Sequence, residues 1–186
     1  MRMETSVIMA GFGGQGLLLI GKLLAEASMS EGKEVSWLPS YGPEMRGGTA
    51  NCTVVVSDKP VASPVVNQPS SLVVMNRPSL ERFGPQVKSG GLIVINSSLI
   101  DCDSGRKDVK QVFIPANDEA RALGADKAAN MVILGAFIAL TGAASLESVT
   151  HWMEHQFEGK AKVIETNRLA LNRGYELAKQ QQEVKV

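Results

Sequence analysis

The pattern of apolar and polar residues changes three times near the start of the chain. Residues 6–10 form a short β-type apolar run that stops at a cluster of glycines, residues 11–16. From Leu17, apolar residues recur at helical spacing as far as Gly32, and a second apolar run covers residues 35–38. This order of strand, glycine turn, helix and strand predicts the opening βαβ unit of a parallel sheet.

The middle of the chain predicts a loop and then mainly strands. Residues 39–48 contain two prolines and three glycines, which predicts a loop because these residues do not continue a helix or a central strand. A helix is predicted to open at Pro78, since proline suits the first positions of a helix. Further strands are predicted at residues 49–57, 72–75, 92–95 and 109–114.

Beyond Ile114 the apolar spacing becomes helical. Gly142 is placed to end one helix, and Ser145 is placed as the N-cap of the next. No repeat or linker divides the chain, so we expect a single α/β domain over residues 1–186, with three α/β/α layers, a mainly parallel sheet, a Rossmann-like opening and a helical C-terminal part. The helices are predicted at residues 117–123, 128–140, 146–157 and 162–182.

Composition narrows the classes of function. Hydrophobic residues make up 44% and charged residues 20%, which is typical of a globular protein. Nineteen basic residues balance nineteen acidic ones, so no basic surplus indicates nucleic acid. The longest apolar stretch, residues 131–144, is shorter than the roughly twenty residues of a membrane span. We therefore expect a soluble protein without nucleic-acid or membrane partners, and the low cysteine content, two residues, favours the cytoplasm.

The cysteines and histidines predict no metal site in this chain. Cys52 and Cys102 are not part of a Cys-x-x-Cys pair, so iron–sulfur and zinc frameworks are excluded. We expect Cys52 to pack as a small hydrophobe and Cys102 to lie in a loop. His151 and His155 match the H-x-x-E-H zinc pattern, but the short C-terminal remainder of the chain offers no well-placed third ligand, and a helix anchored by Trp152 is the preferred interpretation.

The glycine turn is a candidate anion-binding loop. Gly11, Gly13, Gly14, Gln15 and Gly16 belong to a G-x-G-x-x-G pattern between a predicted strand and a predicted helix. Such a turn frees backbone N–H groups and lets a phosphate approach a helix N-terminus. A dinucleotide site also uses a carboxylate at the end of the second strand, and none is present there. A dinucleotide, another phosphate-bearing ligand and tight packing without a ligand therefore remain alternatives.

A second candidate lies in the loop at residues 41–48. Tyr41, Glu44, Met45 and Arg46 offer an aromatic ring, a carboxylate, a thioether and a planar cation between glycines. Arg46 could hold a carboxylate or phosphate with two parallel hydrogen bonds. An ordinary surface loop with an Arg–Glu pair is the alternative.

Together, the two loops resemble the gamma subunit of 2-oxoacid:ferredoxin oxidoreductases. The resemblance rests on Gly-Phe-Gly-Gly-Gln-Gly at residues 11–16, Ser-Tyr-Gly-Pro-Glu-Met-Arg-Gly-Gly at residues 40–48 and Thr-Ala-Asn-Cys at residues 49–52. It continues through residues 63–66, 130–135 and 166–168, so it covers essentially the whole chain.

This resemblance implies a cytoplasmic complex with alpha, beta and ferredoxin-like delta subunits. The partner subunits are expected to hold thiamine diphosphate, Mg²⁺ and iron–sulfur clusters, with no cofactor in this chain. The complex would oxidatively decarboxylate a 2-oxoacid to an acyl-CoA and pass electrons to ferredoxin, and 2-oxoglutarate is the expected 2-oxoacid. The isolated chain is expected to be inactive, to have no catalytic residue and to self-associate through faces meant for partners.

The resemblance also suggests a role for the two loops. We expect Tyr41, Glu44, Met45 and Arg46, together with the glycine turn, to line the channel through which the substrate or coenzyme A reaches the assembled site. One alternative is a stand-alone nucleotide-dependent oxidoreductase with its own Rossmann site. Another is a purely structural subunit whose loops make interface contacts.

Overall fold

A computed structural model of the chain describes residues 4–41 and 48–183. Within these ranges, six strands form one sheet, and helices pack on both of its faces. The strands are β1 (Glu4–Phe12), β2 (Glu34–Tyr41), β3 (Thr49–Ser57), β4 (Ser71–Val74), β5 (Leu92–Asn96) and β6 (Lys110–Ile114). The helices are α1 (Leu17–Ser30), α2 (Arg77–Phe83), α3 (Ala116–Ala122), α4 (Ala129–Thr141), α5 (Leu146–Gln156) and α6 (Ala161–Glu183).

The sheet is mixed, with the strand order β2-β3-β1-β4-β5-β6. Strands β1, β4, β5 and β6 pair in parallel, whereas β3 is antiparallel to both of its neighbours, β1 and β2. The predicted three-layer, mainly parallel α/β fold with a helical C-terminal part is therefore confirmed. The opening unit differs from a simple βαβ pair, because β3 lies between the two parallel strands that α1 connects.

The prediction of a loop at residues 39–48 was wrong for its first part, because β2 continues through Pro39 to Tyr41. Pro39 pairs with Cys52 of β3 on one side, and β2 is the edge strand of the sheet on the other. Proline lacks an N–H donor, and an edge strand tolerates this loss because one side of its backbone needs no partner strand. The remaining strand and helix predictions agree with the structure to within one or two residues at each end.

Two apolar cores lie on opposite faces of the sheet. Alternation along β1 sends Val7 and Met9 into one core and Ile8 and Ala10 into the other. The larger core lies under α1, α4 and α6, and α4 is buried over most of its length. The smaller core packs the strands against α2. None of the helices in the described parts of the chain combines the length and hydropathy that a membrane crossing requires.

Helices α4 and α6 approach each other so closely that two glycines are required at their contact. A Cβ atom on Gly174 would overlap the carbonyl oxygen of Val132, and one on Gly135 would overlap the carbonyl oxygen of Leu171. Both obstacles are backbone atoms of a packed helix. The two glycines therefore set the distance between α4 and α6.

A polar clamp joins the end of α1 to the connection between α4 and α5. The Glu31 carboxylate accepts a hydrogen bond of 2.7 Å from the N–H of Ser145, which is the N-cap of α5. Lys33 donates to Glu31 and to the carbonyl of Ala143, at 3.1 and 2.7 Å. Gly142 ends α4 with a φ of 64°, as its position predicted.

Acidification is expected to open this clamp. Partial burial raises the pKa of the Glu31 carboxyl, but hydrogen bonds from Ser145, Ser148 and Lys33 outweigh burial and bring the pKa to about 2. The folded-state pKa lies below the unfolded value, so the stabilisation is complete above about pH 4.5 and is lost as pH falls toward 2. In urea denaturation at pH 7, Glu31→Gln should lower the free energy of unfolding by about 1–2 kcal/mol.

The pH dependence separates this clamp from an ordinary surface charge. The difference between wild type and Glu31→Gln should shrink between about pH 4.5 and 2. Glu81→Gln is the matched control, because Glu81 forms an exposed pair with Arg77 on α2, and such pairs contribute little. A stability difference for Glu31→Gln that stays constant down to pH 2 would rule out the clamp as a titrating contact.

Candidate functional site

The two sequence motifs meet at one edge of the sheet. The glycine turn follows the carboxyl end of β1, and β2 ends at Tyr41 on the same edge because β1 and β2 run in the same direction. The N–H of Gly13 donates a hydrogen bond of 2.8 Å to the carbonyl of Gly48, which immediately precedes β3. The carboxyl edge of parallel strands is where open α/β sheets bind ligands. The contact therefore joins the two predicted loops at a suitable site.

The glycine turn leaves the N-terminus of α1 open to an anion. Gly14 and Gly16 have φ angles of 93° and 74°, in the left-handed region that glycine adopts without strain. Gly16 is the N-cap of α1, no side chain caps this end, and the first turn contains no acidic residue. Uncapped N–H groups and the positive end of the helix dipole favour negative charge at this position.

Gln15 braces the turn instead of facing a ligand. Its Oε1 accepts a hydrogen bond of 2.6 Å from the N–H of Phe12, and its Nε2 donates to the carbonyl of Met75 at 3.2 Å. These two bonds tie the end of β1 to the residue that follows β4. The sequence predicted that Gln15 belongs to an anion-binding loop. In the structure, the Gln15 side chain holds that loop against the sheet.

The glycines of the turn differ in how closely other atoms surround the place of an added Cβ. A Cβ on Gly11 would lie 2.8 Å from Cδ1 of Leu17 and 2.9 Å from Cβ of Met75, so this position is closed by packing. A Cβ on Gly16 would overlap the side chain of Asn130. A Cβ on Gly14 would meet no atom within 4 Å. Packing therefore requires glycine at Gly11, the Asn130 side chain limits space at Gly16, and Gly14 faces open space. Ligand binding by the turn stays a prediction.

The strand order disfavours a dinucleotide site. In the dinucleotide fold, the carboxylate that holds the ribose comes from the strand next to β1. Here β3 occupies that place, so the end of β2 lies two strand spacings away, about 9–10 Å. Residues 36–41 of β2 also contain no carboxylate.

Asn76 is a polar residue of this edge that the sequence reasoning missed. It follows β4, is 4% exposed, and caps α2 by accepting a hydrogen bond of 2.9 Å from the N–H of Ser79. Its Nδ2 has no partner among the described residues. The signal was available, since an asparagine two positions before Pro78 is a typical helix N-cap pattern.

The other candidate residues lie partly outside the described chain. Glu44, Met45 and Arg46 fall in residues 42–47, which the structure does not describe. The backbone of Tyr41 pairs with Ala50 as the last residue of β2. The structure thus places one end of this loop, Gly48, in contact with the glycine turn and the other end, Tyr41, at the same edge of the sheet. The roles of the loop residues in a channel stay a prediction.

The histidines and cysteines, for which the sequence predicted no metal site, have the following surroundings in the structure. His151 and His155 lie on α5 on either side of Trp152, with ring centroids 5.8 and 5.6 Å from it. Over residues 4–41 and 48–183, no group of three or more His, Cys, Asp or Glu side chains is placed to hold a metal ion. Cys52 is fully buried, which confirms its predicted packing role, and burial raises the pKa of its thiol to about 12. Cys102 is half-buried against the smaller core.

Comparison with known proteins decides the family. A sequence profile described as pyruvate ferredoxin/flavodoxin oxidoreductase matches residues 6–177. The chain belongs to this family. Among solved structures, the gamma subunit of keto/oxoacid ferredoxin oxidoreductase from Geobacter sulfurreducens superposes with a TM-score of 0.81 at 30% identity, covering 95% of this chain and 99% of that one. The resemblance to gamma subunits of the family is therefore confirmed.

Curated relatives of this oxidoreductase family carry names for different 2-oxoacids. The ketoisovalerate oxidoreductase subunit VorA of Methanothermobacter thermautotrophicus is 44% identical over 95% of this chain, and the chain spans 37% of that relative's length. The 2-oxoglutarate synthase subunit KorC of Methanocaldococcus jannaschii is 34% identical, and the match covers 96% of both chains. The relatives support a subunit of a 2-oxoacid oxidoreductase and leave the expected preference for 2-oxoglutarate unconfirmed.

Proposed function

We propose that the chain is the gamma component of a multi-subunit 2-oxoacid:ferredoxin oxidoreductase. The whole enzyme would decarboxylate a 2-oxoacid, form an acyl-CoA and reduce ferredoxin in the cytoplasm. The observation that carries the proposal is the match of residues 6–177 to the pyruvate ferredoxin/flavodoxin oxidoreductase family, and the hydrogen bond from Gly13 to Gly48 supports a shared role of the glycine turn and the second loop. A chain of this family with its two loops joined in this way is suited to border a ligand channel.

Within that enzyme, the chain would bind and orient an anionic group. The open N-terminus of α1 suits a phosphate of coenzyme A. Arg46, in the neighbouring loop, would hold a second phosphate or a carboxylate of the ligand. Tyr41, Glu44 and Met45 would complete this wall of the channel. Bond-breaking steps would belong to partner subunits.

The cofactors are assigned to the alpha, beta and ferredoxin-like delta partners. This chain has two cysteines, one of them fully buried, so it does not offer the four thiolates of an iron–sulfur cluster. Thiamine diphosphate, with its Mg²⁺, and the clusters would supply decarboxylation and electron transfer from the partners. The residues of this chain would shape the approach to them.

For the 2-oxoacid, we propose ketoisovalerate ahead of the 2-oxoglutarate expected from the sequence. The relative named for ketoisovalerate has 44% identity, against 34% for the relative named for 2-oxoglutarate. The measure of this specificity is the ratio of the kcat/KM values for ketoisovalerate and 2-oxoglutarate on one assembled enzyme.

The test begins with the assembled enzyme. A tagged full chain is captured under anaerobic conditions from the cells that produce it, and the proteins bound to it are identified. We expect a thiamine-diphosphate-binding protein and a ferredoxin-like protein, with 2-oxoacid-dependent reduction of ferredoxin. Recovery of the chain alone with a bound dinucleotide would instead establish the stand-alone oxidoreductase.

Arg46→Ala in the captured enzyme then tests the channel. Loss of a charged hydrogen-bond donor should raise the KM for coenzyme A by about 10- to 100-fold. Arg82→Ala is the control, because Arg82 is exposed on α2 with its guanidinium over the Phe83 ring. Unchanged kinetics in Arg46→Ala with weakened assembly would support the purely structural subunit and refute the channel role.

A further inference from the structure

A cavity of about 640 Å³ opens beside the N-terminal part of α1. It lies between residues 124–128, which precede α4, and the first two turns of α6. Leu19 of α1 and Asn130 of α4 also line it. The cavity is thus not lined by the loops at the carboxyl edge of the sheet. Asn130 lines the cavity and also contacts Gly16 of the glycine turn.

The walls of this cavity are largely apolar. Leu19, Met131, Phe157 and Val163 contribute side chains from four different segments. Val163 is 37% exposed, which makes it one of the large hydrophobic residues that the fold leaves uncovered. Small-molecule sites commonly have this size and combine apolar walls with a few polar groups.

One amide side chain lines the cavity without a hydrogen-bond partner in the described protein. Asn167 of α6 is 7% exposed, and its side chain forms no hydrogen bond with any described residue. The neighbouring Thr166, by contrast, donates its hydroxyl to backbone carbonyls of its own helix. Among the described residues, the side-chain polar atoms that are both fully buried and unpaired are Asn76 Nδ2 and Trp152 Nε1, so the Asn167 amide is open to solvent in the cavity. The Asn167 amide therefore has one donor group and one acceptor group available for an occupant.

The rim of the cavity is cationic. Lys127 and Lys162 line it, and neither has a carboxylate partner in the described part of the chain. The single acidic lining residue, Asp126, lies 3.8 Å from Arg121, which offsets its charge. The local charge at the opening therefore favours a negatively charged group.

We propose that this cavity binds a small organic anion with an apolar body. The body packs among the four apolar walls, the anionic group lies at Lys127 and Lys162, and a polar atom of the ligand pairs with the Asn167 amide. The cavity is formed by this chain alone, so the site exists whether or not the proposed oxidoreductase function holds.

The contact between Asn130 and Gly16 leads us to expect that occupancy of the cavity is coupled to the glycine turn. The Nδ2 of Asn130 donates to the carbonyl of Gly16 at 3.4 Å, and its Oδ1 accepts from the N–H of Met131 at 3.0 Å. An occupant that contacts Asn130 and Leu19 therefore touches both the support of Gly16 and the first turn of α1. Coupling between the two sites is reciprocal, so a ligand at the glycine turn also changes affinity in the cavity.

Calorimetric titration of the full chain tests the site. The probes are 3-phenylpropionate and its neutral amide, which share an apolar body and differ in charge. We expect the anion to bind about tenfold more tightly, and the Lys127→Gln/Lys162→Gln double variant to lose that advantage. Asn167→Leu should weaken both probes by about three- to tenfold. Lys179→Gln is the matched control, since this lysine of α6 lies over the Tyr175 ring outside the cavity.

Four results would overturn parts of this proposal. Absence of binding by both probes, or equal affinities that the double lysine variant does not change, refutes the anion site. Displacement of 3-phenylpropionate by coenzyme A refutes a separate site, because the cavity would then be part of the co-substrate site. Saturation with 3-phenylpropionate that leaves the amide resonances of Gly14 and Gly16 unshifted refutes the coupling through Asn130.

Discussion

Replacing Gly174 with alanine is expected to destabilise the chain by about 3 kcal/mol or more. The added Cβ would overlap the carbonyl oxygen of Val132, and its distances to the adjacent carbonyl carbon and Cα of Val132 would be 2.6 and 2.9 Å. These atoms belong to the backbone of α4, which is buried in the larger core, so relief requires the helices to separate. Thermal unfolding should show a midpoint roughly 6–12 °C lower.

Gly84→Ala is the matched control for this prediction. Gly84 has an ordinary right-handed φ of −53°, and its nearest neighbour to an added Cβ would be the Cβ of Ser104 at 3.5 Å. This variant should lower stability by no more than about 1 kcal/mol, because alanine restricts the unfolded chain but its Cβ is disfavoured in a helical conformation before Pro85. A Gly174→Ala midpoint equal to that of Gly84→Ala would contradict the close helix contact.

Gly16→Ala is expected to cost about 2–3 kcal/mol through two separable effects. The φ of 74° is unfavourable for any residue with a Cβ, by roughly 1–2 kcal/mol. The Cβ would also displace the Asn130 side chain, which supports the carbonyl of Gly16. Since Gly16 is the N-cap of α1, the same change should disturb the proposed anion site. Urea denaturation measures the total cost.

Two further variants separate strain from contact. Gly14→Ala has the conformational cost alone, because its Cβ would meet no atom within 4 Å, and should destabilise by about 1–2 kcal/mol. In an Asn130→Ala background, which removes the obstructing side chain, Gly16→Ala should cost about 1 kcal/mol less than in wild type. Additive effects in this double-mutant cycle would exclude the contact with Asn130 as a source of the destabilisation.

In a gamma component of the family, the loss of stability and the loss of function in these glycine variants need not be equal. A gamma component that only packs against partners would tolerate changes at Gly14, where the turn faces open space. A component that binds an anion at α1 would lose affinity there, even though Gly14→Ala costs less stability than Gly16→Ala. Measuring both the stability and the coenzyme A kinetics of Gly14→Ala and Gly16→Ala therefore distinguishes a packing role from anion binding.

Local elements of the fold were largely determined by the sequence itself. Helix and strand positions follow from apolar spacing, which depends on neighbours a few residues away. Gly142 and Ser145 act as predicted because helix ends are set by local backbone and side-chain hydrogen bonds. The two loops were identified by their residues, and the location of their ends at one sheet edge follows from the parallel direction of β1 and β2.

Tertiary structure decided the features that depend on distant residues. The place of β3 between β1 and β2 is a long-range pairing that periodicity does not encode, and it also explains why Pro39 lies in an edge strand. The requirement for Gly174 arises from α4, whose sequence lies far from it along the chain. The bracing by Gln15 and the unpaired amide of Asn167 likewise depend on how the helices dock onto the sheet. Side-chain patterns specify which face of an element is buried, whereas the partner that covers it is chosen when all elements pack together.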